Sequence, residues 1–225
     1  MNPITVLLAD DHNIVREGFR ALLKLEADIT VVGEARNGRE AVELAVKYKP
    51  DIVVMDIAMP LLNGLEATRQ ILGLLPATKV IVLSAYSDDP YVQRAIAVGA
   101  SGFLIKQTSA QSLARAIRET KKGNTYFSPS LARHFQTQSA TKAPVTKRPT
   151  VLTAREMEVI QRVAEGATNK EIASDFGISI KTVEKHRQHL MNKLNIHDTA
   201  TLTRYAIAQG IIESPVKVTI ILEGE

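Results

Sequence analysis

Short apolar runs alternate with longer, periodically apolar stretches over the first half of the chain. The runs are rich in valine, isoleucine and leucine, and the stretches between them place apolar residues three and four positions apart, as helices do. The predicted strands are 4–9, 30–35, 51–55, 79–83 and 102–105. The predicted helices are 14–25, 37–48, 64–74, 89–98 and 109–121. Because strands and helices alternate, we predict an α/β fold with a five-stranded, doubly wound parallel sheet.

The pattern becomes wholly helical beyond residue 150. Thr153 with Glu156, and Thr168 with Glu171, have the spacing of a capping box, in which two side chains satisfy backbone N–H groups at the start of a helix. The predicted helices are 153–165, 169–176, 180–194 and 198–209. A small all-α domain of four helices is therefore expected after the sheet domain.

A polar, proline-containing stretch separates the two patterns. Residues 136–150 offer almost nothing to bury, which is typical of a flexible tether. The expected organisation is a sheet domain at 1–122, a linker at 123–150, a helical domain at 151–212 and a tail at 213–225. Within the linker we expect one short helix at 128–134, and the tail alternates at 216–222 like an extra strand.

Polar side chains follow four of the predicted strands. Asp10 and Asp11 follow the first strand, Asp56 the third, Ser84 the fourth and Lys106 the fifth. Each of them alone is also compatible with a helix cap, a turn or a solvated surface position. In a parallel sheet, however, the carboxyl ends of the strands meet at one edge, where ligands bind. The convergence of four strand ends therefore favours a functional site.

Three neighbouring carboxylates repel one another unless a cation lies among them. Oxygen ligands suit Mg²⁺ or Mn²⁺, which keep several waters and leave room for a phosphate oxygen. Asp56 is then the candidate nucleophile, because a carboxylate can form an aspartyl phosphate. Lys106 is expected to pair with a phosphate oxygen, and the Ser84 hydroxyl to donate a hydrogen bond to another.

With these residues in place, 1–122 resembles the receiver domain of a two-component response regulator. The resemblance implies a flavodoxin-like fold, with Asp56 as the phosphoacceptor. It also implies that Asp10, Asp11, Asp56 and the backbone carbonyl of Ala58 form the metal site. The phosphoryl donor in this family is a phosphohistidine on a sensor histidine kinase.

The resemblance extends to the residues that transmit the signal. Ser84 matches the switch hydroxyl, Lys106 the phosphate-contacting lysine and Phe103 the aromatic switch position. Gln107 departs from the family pattern, because many receivers have proline directly after the lysine.

A phosphohydrolase of the haloacid dehalogenase type is a rival interpretation, because it also uses an aspartyl phosphate. Enzymes of that class carry an Asp-x-Asp motif, in which the second acid protonates the leaving group. Here the position two residues after Asp56 is Ala58, so the general acid is missing. We therefore do not expect an enzyme that turns over small substrates.

The helical half has the dimensions of a helix-turn-helix. Helices at 169–176 and 180–194 are separated by Gly177-Ile178-Ser179. Within 180–195, four lysines and arginines accompany a single acid, Glu184, which favours binding to a polyanion more than the whole-chain net charge of +4 does. A protein-interaction module with a solvated basic face is the alternative that helix spacing leaves open.

Residues 152–212 resemble the LuxR-type helix-turn-helix. The motifs that carry the resemblance are Leu152-Thr153-x-Arg155-Glu156, Gly166-x-x-Asn169-Lys170-Glu171-Ile172-Ala173, Ser179-x-x-Thr182-Val183-x-x-His186 and Lys193-Leu194. The resemblance implies that bases are read by Glu184, Lys185 and Gln188, and that phosphates are contacted by Lys181, Thr182 and Lys193. Helix 198–209 is the usual dimer surface of such domains.

The whole chain therefore resembles a transcriptional response regulator of the NarL/FixJ type. The resemblance implies a homodimer in the active state, an inverted-repeat DNA operator and control by phosphorylation; a constitutive DNA-binding regulator with a vestigial receiver is the alternative.

The sequence has no cysteine, no apolar run approaching the roughly 18 residues of a membrane span and no signal peptide pattern, so we expect a cytoplasmic protein without a membrane partner. His12, His186, His189 and His197 are divided between the two halves, and no metal site is expected from them.

Overall fold

The structure is a computed structural model, and it describes residues 2–85, 89–127 and 152–212. The chain divides into two compact units, one ending at Ala154 and the other beginning at Arg155. The helix expected at 128–134, most of the expected linker and the strand pattern at 216–222 lie outside the described residues. No helix in the described parts of the chain has both the length and the apolar character needed to span a membrane.

The first unit is an α/β layer structure, as the sequence predicts. Its strands are β1 (Ile4–Ala9), β2 (Ile29–Ala35), β3 (Ile52–Asp56), β4 (Lys79–Ser84), β5 (Gly102–Ile105) and β6 (Tyr126–Phe127). Its helices are α1 (Asn13–Leu23), α2 (Gly38–Tyr48), α3 (Gly64–Leu74), α4 (Asp89–Ala97) and α5 (Ala110–Lys121). The predicted fold class is confirmed.

The sheet is parallel throughout, in the order β2-β1-β3-β4-β5-β6. The sequence predicted five strands, and β6 adds a sixth at the edge. Tyr126 and Phe127 pair with Gly102 and Phe103 of β5, and two residues are too few to show strand periodicity in a sequence.

Helices cover both faces of the sheet, which is why its strands are almost continuously apolar. Val53 and Met55 of β3 point toward the face that holds α2, α3 and α4, whereas Ile52 and Val54 point toward α1 and α5. All four side chains are at most 1% exposed. Burying each such side chain contributes about 1.5–3 kcal/mol, so the strand positions are fixed firmly.

Helix α3 begins directly against the end of β3. The Gly64 N–H donates to the Ile57 carbonyl oxygen at 2.9 Å. A Cβ added to Gly64 would lie 1.8 Å from the carbonyl oxygen of Asp56, a distance that no side chain can occupy. Asn63 caps the helix by accepting a hydrogen bond from the Glu66 N–H at 2.9 Å. The main chain around Asp56 therefore packs directly against the start of α3.

The described residues of the second unit, up to residue 212, form four helices: α6 (Ala154–Ala164), α7 (Asn169–Phe176), α8 (Ile180–Leu194) and α9 (Thr199–Ala208). The capping box predicted for Thr168 and Glu171 is present at the start of α7. Helix α7 ends at Gly177, whose φ of +60° turns the chain toward α8. Ile172, Val183 and Leu190 are fully buried and hold these two helices together.

Candidate functional site

An acidic cluster lies where β1 and β3 end. The side chains of Asp10 and Asp56 are buried, at 2% and 1% exposure, whereas Asp11 is exposed. Ligand atoms of Asp10, Asp11, His12 and Asp56 all lie within 4.8 Å of one another. The register explains this meeting, because Ala9 of β1 pairs with Met55 of β3, one residue before each aspartate.

Lys106, at the end of β5, connects the two buried aspartates. Its ammonium nitrogen lies 2.9 Å from Asp10 Oδ2 and 2.7 Å from Asp56 Oδ2. Burial raises the pKa of the Asp56 carboxyl to about 7, and the Asp10 carboxylate acts in the same direction, against the opposing effect of Lys106. Burial acts to lower the pKa of Lys106, but the Asp56 and Asp10 carboxylates together outweigh it, so the pKa of the ammonium group is raised. The ion pair only partly offsets the cost of burying two acids.

The donor set of this cluster fits a divalent cation. Apart from the ion pairs with Lys106, neither Asp10 Oδ2 nor Asp56 Oδ2 has a hydrogen-bonding partner among the described residues. Carboxylate oxygens are the ligands that Mg²⁺ and Mn²⁺ prefer. Ala58 is half-buried in the loop between β3 and α3, two residues from Asp56. A cation here would balance the carboxylate charge that Lys106 leaves.

His12 belongs to the same cluster, which the sequence analysis did not anticipate. Its Nδ1 lies 2.8 Å from Asp11 Oδ1 and 3.2 Å from Asp10 Oδ1. The histidines are divided between the two halves and lack the paired spacing of a metal site, so no metal site was expected from them. The adjacency of His12 to Asp10 and Asp11 is the signal that could have placed it at the site.

Arg16 lies behind the cluster and is a second residue that sequence reasoning missed. Arginine is seldom buried, but Arg16 is only 5% exposed. Its guanidinium donates to the Asp10 carbonyl oxygen and to Asn13 Oδ1, each at 2.7 Å, and to Glu34 Oε2 at 3.2 Å. Arg16 therefore fixes the main chain that carries Asp10.

Ser84 is the last residue of β4, and Phe103 is the second residue of the neighbouring strand β5. Ser84 is 2% exposed, and its carbonyl oxygen accepts a hydrogen bond from the Lys106 N–H at 2.7 Å, which joins β4 to β5 at the site. Phe103 is fully buried in the core cluster that includes Val82 and Ala95. Every peptide bond within the described residues is trans, including the bond between Lys106 and Gln107.

One face of α8 carries the candidate DNA-reading side chains. Lys181, Glu184, Lys185 and Gln188 are all exposed and lie three or four positions apart, so they share one side of the helix. Ser179 caps the helix, and its hydroxyl lies 2.8 Å from the hydroxyl of the half-buried Thr182. The unit thus presents a row of polar and basic groups on a helix that its core holds in place.

The remaining candidate, Lys193, is already engaged within the helical unit. Its ammonium group donates to Glu156 Oε2 at 2.9 Å, and Glu156 is 8% exposed. Arg187, another basic residue of α8, is half-buried and donates to Asn169 Oδ1 at 2.6 Å. Both residues tie α8 to the other helices. A pairing between residues 37 positions apart leaves no periodic signal in the sequence.

Arg155, from the motif Leu152-Thr153-x-Arg155-Glu156, also has a structural role. Its guanidinium carbon lies 3.9 Å from the centroid of the Phe176 ring, and its Nη1 donates to Glu158 Oε2 at 2.7 Å. A guanidinium stacked on an aromatic face is a favourable cation–π arrangement. Arg155 and Glu156 therefore anchor α6 to the helix-turn-helix.

Comparison with known families gives two matches. Residues 6–118 match the response regulator receiver domain, and residues 150–206 match the LuxR family of bacterial regulatory proteins. The two matched segments correspond to the two halves in which the sequence showed different periodicity.

Individual proteins of similar length share both halves. Response regulator protein VraR of Staphylococcus aureus is 38% identical over 210 residues, covering 93% of this chain and 99% of the relative. The crystal structure of response regulator ChrA from a heme-sensing two-component system aligns with a TM-score of 0.51 at 32% identity, over 94% of this chain and all of the other. A structure of two RcsB dimers bound to two parallel DNAs aligns with a TM-score of 0.59 at 26% identity, over 93% of this chain and all of the other.

Proposed function

Because the chain belongs to the family of DNA-binding response regulators that join a receiver domain to a LuxR-type helix-turn-helix, we propose that it is a cytoplasmic transcriptional regulator controlled by phosphorylation of Asp56. The observation that carries this proposal is the buried Asp56 carboxylate, with Lys106 at 2.7 Å and two further aspartates beside it. In this proposal, residues 1–122 receive the phosphoryl group, residues 151–212 bind DNA, and 123–150 connects them.

Asp56 acts as the nucleophile. A carboxylate oxygen forms a bond to the phosphorus of a phosphohistidine on a sensor histidine kinase, and the phosphorus–nitrogen bond breaks as the imidazole leaves. Lys106 is placed to pair with an oxygen of the transferred group, since its ammonium nitrogen already lies beside both buried acids. No second acid follows Asp56 to assist a further leaving group, which fits a regulator rather than an enzyme.

Mg²⁺, or Mn²⁺ in its place, would be held by Asp10, Asp11, Asp56 and the carbonyl of Ala58. When bound, the cation offsets the negative charge that phosphoryl transfer develops on the transferred oxygens. Arg16 supports this arrangement from behind by fixing the Asp10 main chain.

Ser84 and Phe103 connect the phosphoryl group to the rest of the unit. In the proposal, the Ser84 hydroxyl moves toward the phosphoryl group and donates to one of its oxygens. Phe103, now packed fully within the core, turns into the space that Ser84 leaves, and the surface of α4 and α5 changes. A phosphoryl group shifts an equilibrium only through different affinities for the two states, and this rearrangement supplies the difference.

The output is DNA binding by two copies of α8. We propose that Glu184, Lys185 and Gln188 contact base edges and that Lys181, Thr182 and Lys193 contact phosphates. The RcsB dimers bound to DNA support a homodimer as the active form. A two-fold symmetric dimer requires inverted half-sites, which lie about one helical turn apart on the operator.

The test of phosphorylation is incubation of the full chain with acetyl phosphate and Mg²⁺, followed by intact mass. We expect the added mass of one phosphate, its loss with hydroxylamine, and no addition in Asp56→Asn. Asp11→Ala should weaken metal binding. Addition of a full phosphate to Asp56→Asn would reject the assignment, and many turnovers of small phosphate esters would indicate a phosphohydrolase.

The test of control is sedimentation and operator binding, measured with and without phosphodonor. Phosphorylation should raise both the dimer fraction and the affinity. Ser84→Ala should uncouple these changes while leaving phosphorylation of Asp56 partly intact. If stoichiometric phosphorylation changes neither quantity, the chain is a constitutive DNA-binding regulator with a vestigial receiver.

A further inference from the structure

His12 places an imidazole nitrogen among the carboxylates at the end of β1. Its Nδ1 lies 2.8 Å from Asp11 Oδ1 and 3.2 Å from Asp10 Oδ1. The His12 backbone N–H donates to Asp10 Oδ1 at 2.9 Å, which anchors the residue at the start of α1. The side chain is 62% exposed, so the ring has room to rotate about its own bonds.

The spacing of these atoms matches a coordination shell. Ligand atoms about 2.1 Å from a metal in octahedral geometry are separated by roughly 3 Å along each edge. The two distances from Nδ1 fall on either side of that value. The ligand atoms of His12 and the three aspartates all lie within 4.8 Å, so small side-chain rotations bring them to one centre.

Two further carboxylate oxygens of the same cluster are buried. Asp10 Oδ2 and Asp56 Oδ2 belong to residues that are at most 2% exposed, and besides Lys106 neither has a hydrogen-bonding partner among the described residues. The site therefore combines hard carboxylate donors with one borderline nitrogen donor. Imidazole is a poor ligand for Mg²⁺ and a good one for Zn²⁺, Co²⁺ and Ni²⁺.

We propose that His12 is an additional ligand that lets this cluster bind divalent transition-metal ions such as Zn²⁺ and Co²⁺ through Nδ1, alongside its carboxylates. The inference extends the cation site of the proposed function, and it assigns to one residue the choice between classes of ion. Mg²⁺ uses the oxygens alone, whereas a transition ion also uses the imidazole. Occupation by the second class would compete with Mg²⁺ for the same carboxylates.

The test is calorimetric titration of the full chain with ZnCl₂ and with MgCl₂, without any phosphodonor. His12→Asn is the matched variant, because its side-chain amide reaches the position of Nδ1 and still donates to the carboxylates. His197→Asn, on the other unit, is the control for histidines elsewhere. We expect Zn²⁺ affinity to fall roughly tenfold or more in His12→Asn and to stay unchanged in His197→Asn, while Mg²⁺ affinity changes less than about twofold.

A second measurement identifies the bonding atom. In ¹⁵N-labelled protein, Zn²⁺ should shift the Nδ1 resonance of His12 and leave its Nε2 protonated. An unchanged Zn²⁺ affinity in His12→Asn, or an equal loss for Zn²⁺ and Mg²⁺, would overturn the proposal and leave His12 as a hydrogen-bond donor to the aspartates. Because no phosphodonor is present, this result is independent of whether Asp56 accepts a phosphoryl group.

Discussion

The receiver unit buries its functional charges against one another, whereas the helical unit exposes them along one helix. Asp10 and Asp56 are at most 2% exposed and share the ammonium group of Lys106. Lys181, Glu184 and Lys185 lie on the solvent side of α8. The charges of the first unit are therefore coupled to its folding stability, and those of the second are available to a polyanion at little cost to folding.

The largest expected effect sharpens the second half of this comparison. If each protomer neutralises four to six phosphates, the log–log slope of affinity against salt is about −4 to −5 per half-site, so raising salt from about 50 to 200 mM should weaken binding roughly 250- to 1,000-fold. Gln188→Ala should reduce discrimination at particular base pairs by about 1–3 kcal/mol. Fluorescence anisotropy on matched and mismatched duplexes measures both. Absence of binding to any duplex at low salt would favour a protein-interaction role for α8.

The first half of the comparison is tested by removing the shared cation. Lys106→Met leaves two buried carboxylates without their partner, which should lower the free energy of unfolding by about 3 kcal/mol at neutral pH without divalent ions. Mg²⁺ should stabilise this variant more than the wild type. Lys185→Met is the control and should change stability by less than about 0.5 kcal/mol. Equal effects of the two substitutions in urea denaturation would contradict the comparison.

Lys193 is the residue that could break the comparison, because it is a candidate phosphate contact that is paired inside its unit. Lys193→Ala removes the ammonium group that lies 2.9 Å from the buried Glu156 carboxylate and should destabilise the helical unit by about 1–2 kcal/mol. Lys181→Ala should weaken DNA binding without that loss. Thermal unfolding and binding, measured on the same two variants, separate the roles. Matching stabilities would show that the Glu156 pair contributes nothing to folding.

A smaller effect is expected at Asp51, which directly precedes β3 at the amino ends of the strands. Burial acts to raise the pKa of Asp51, but the bond from Lys121 and two bonds from Thr5 outweigh it, and the pKa is lowered. The stabilisation is therefore present above the unfolded pKa, near 4, and is lost as pH falls through the lower folded value. Asp51→Asn should cost about 1 kcal/mol at pH 7, and the difference from wild type should shrink in acid. A difference that grows below pH 4 would contradict the assignment.

The strand ends of the receiver could be predicted because local patterns place them and parallel topology brings them together. Asp56 follows an unbroken apolar run, and that run is the third strand of the sheet. The same reasoning fails for contacts that depend on three-dimensional packing. The burial of Arg16 and the pairing of Lys193 with Glu156 both depend on contacts between elements, and the sequence pattern does not show how those elements are positioned relative to one another.

Edge features were also hard to predict, for a different reason. The described part of β6 is Tyr126 and Phe127, and its position depends on an available edge of β5 rather than on its own sequence. His12 joins the acidic cluster through the turn that starts α1, where one side-chain rotation decides its neighbours. Short segments and exposed rings are fixed by their surroundings, so local periodicity says little about them.

The contact between Gly64 and the main chain of Asp56 limits how this chain can diverge. Any side chain at position 64 would displace the carbonyl group of Asp56, since an added Cβ would lie 1.8 Å from its oxygen. Gly73, in the same helix, has nothing within 4 Å of such an atom, and alanine there improves helix propensity. Two glycines nine positions apart thus differ in the substitutions that they should tolerate. Alanine should fit at position 73, whereas any side chain at position 64 should displace the main chain that carries the Asp56 carboxylate.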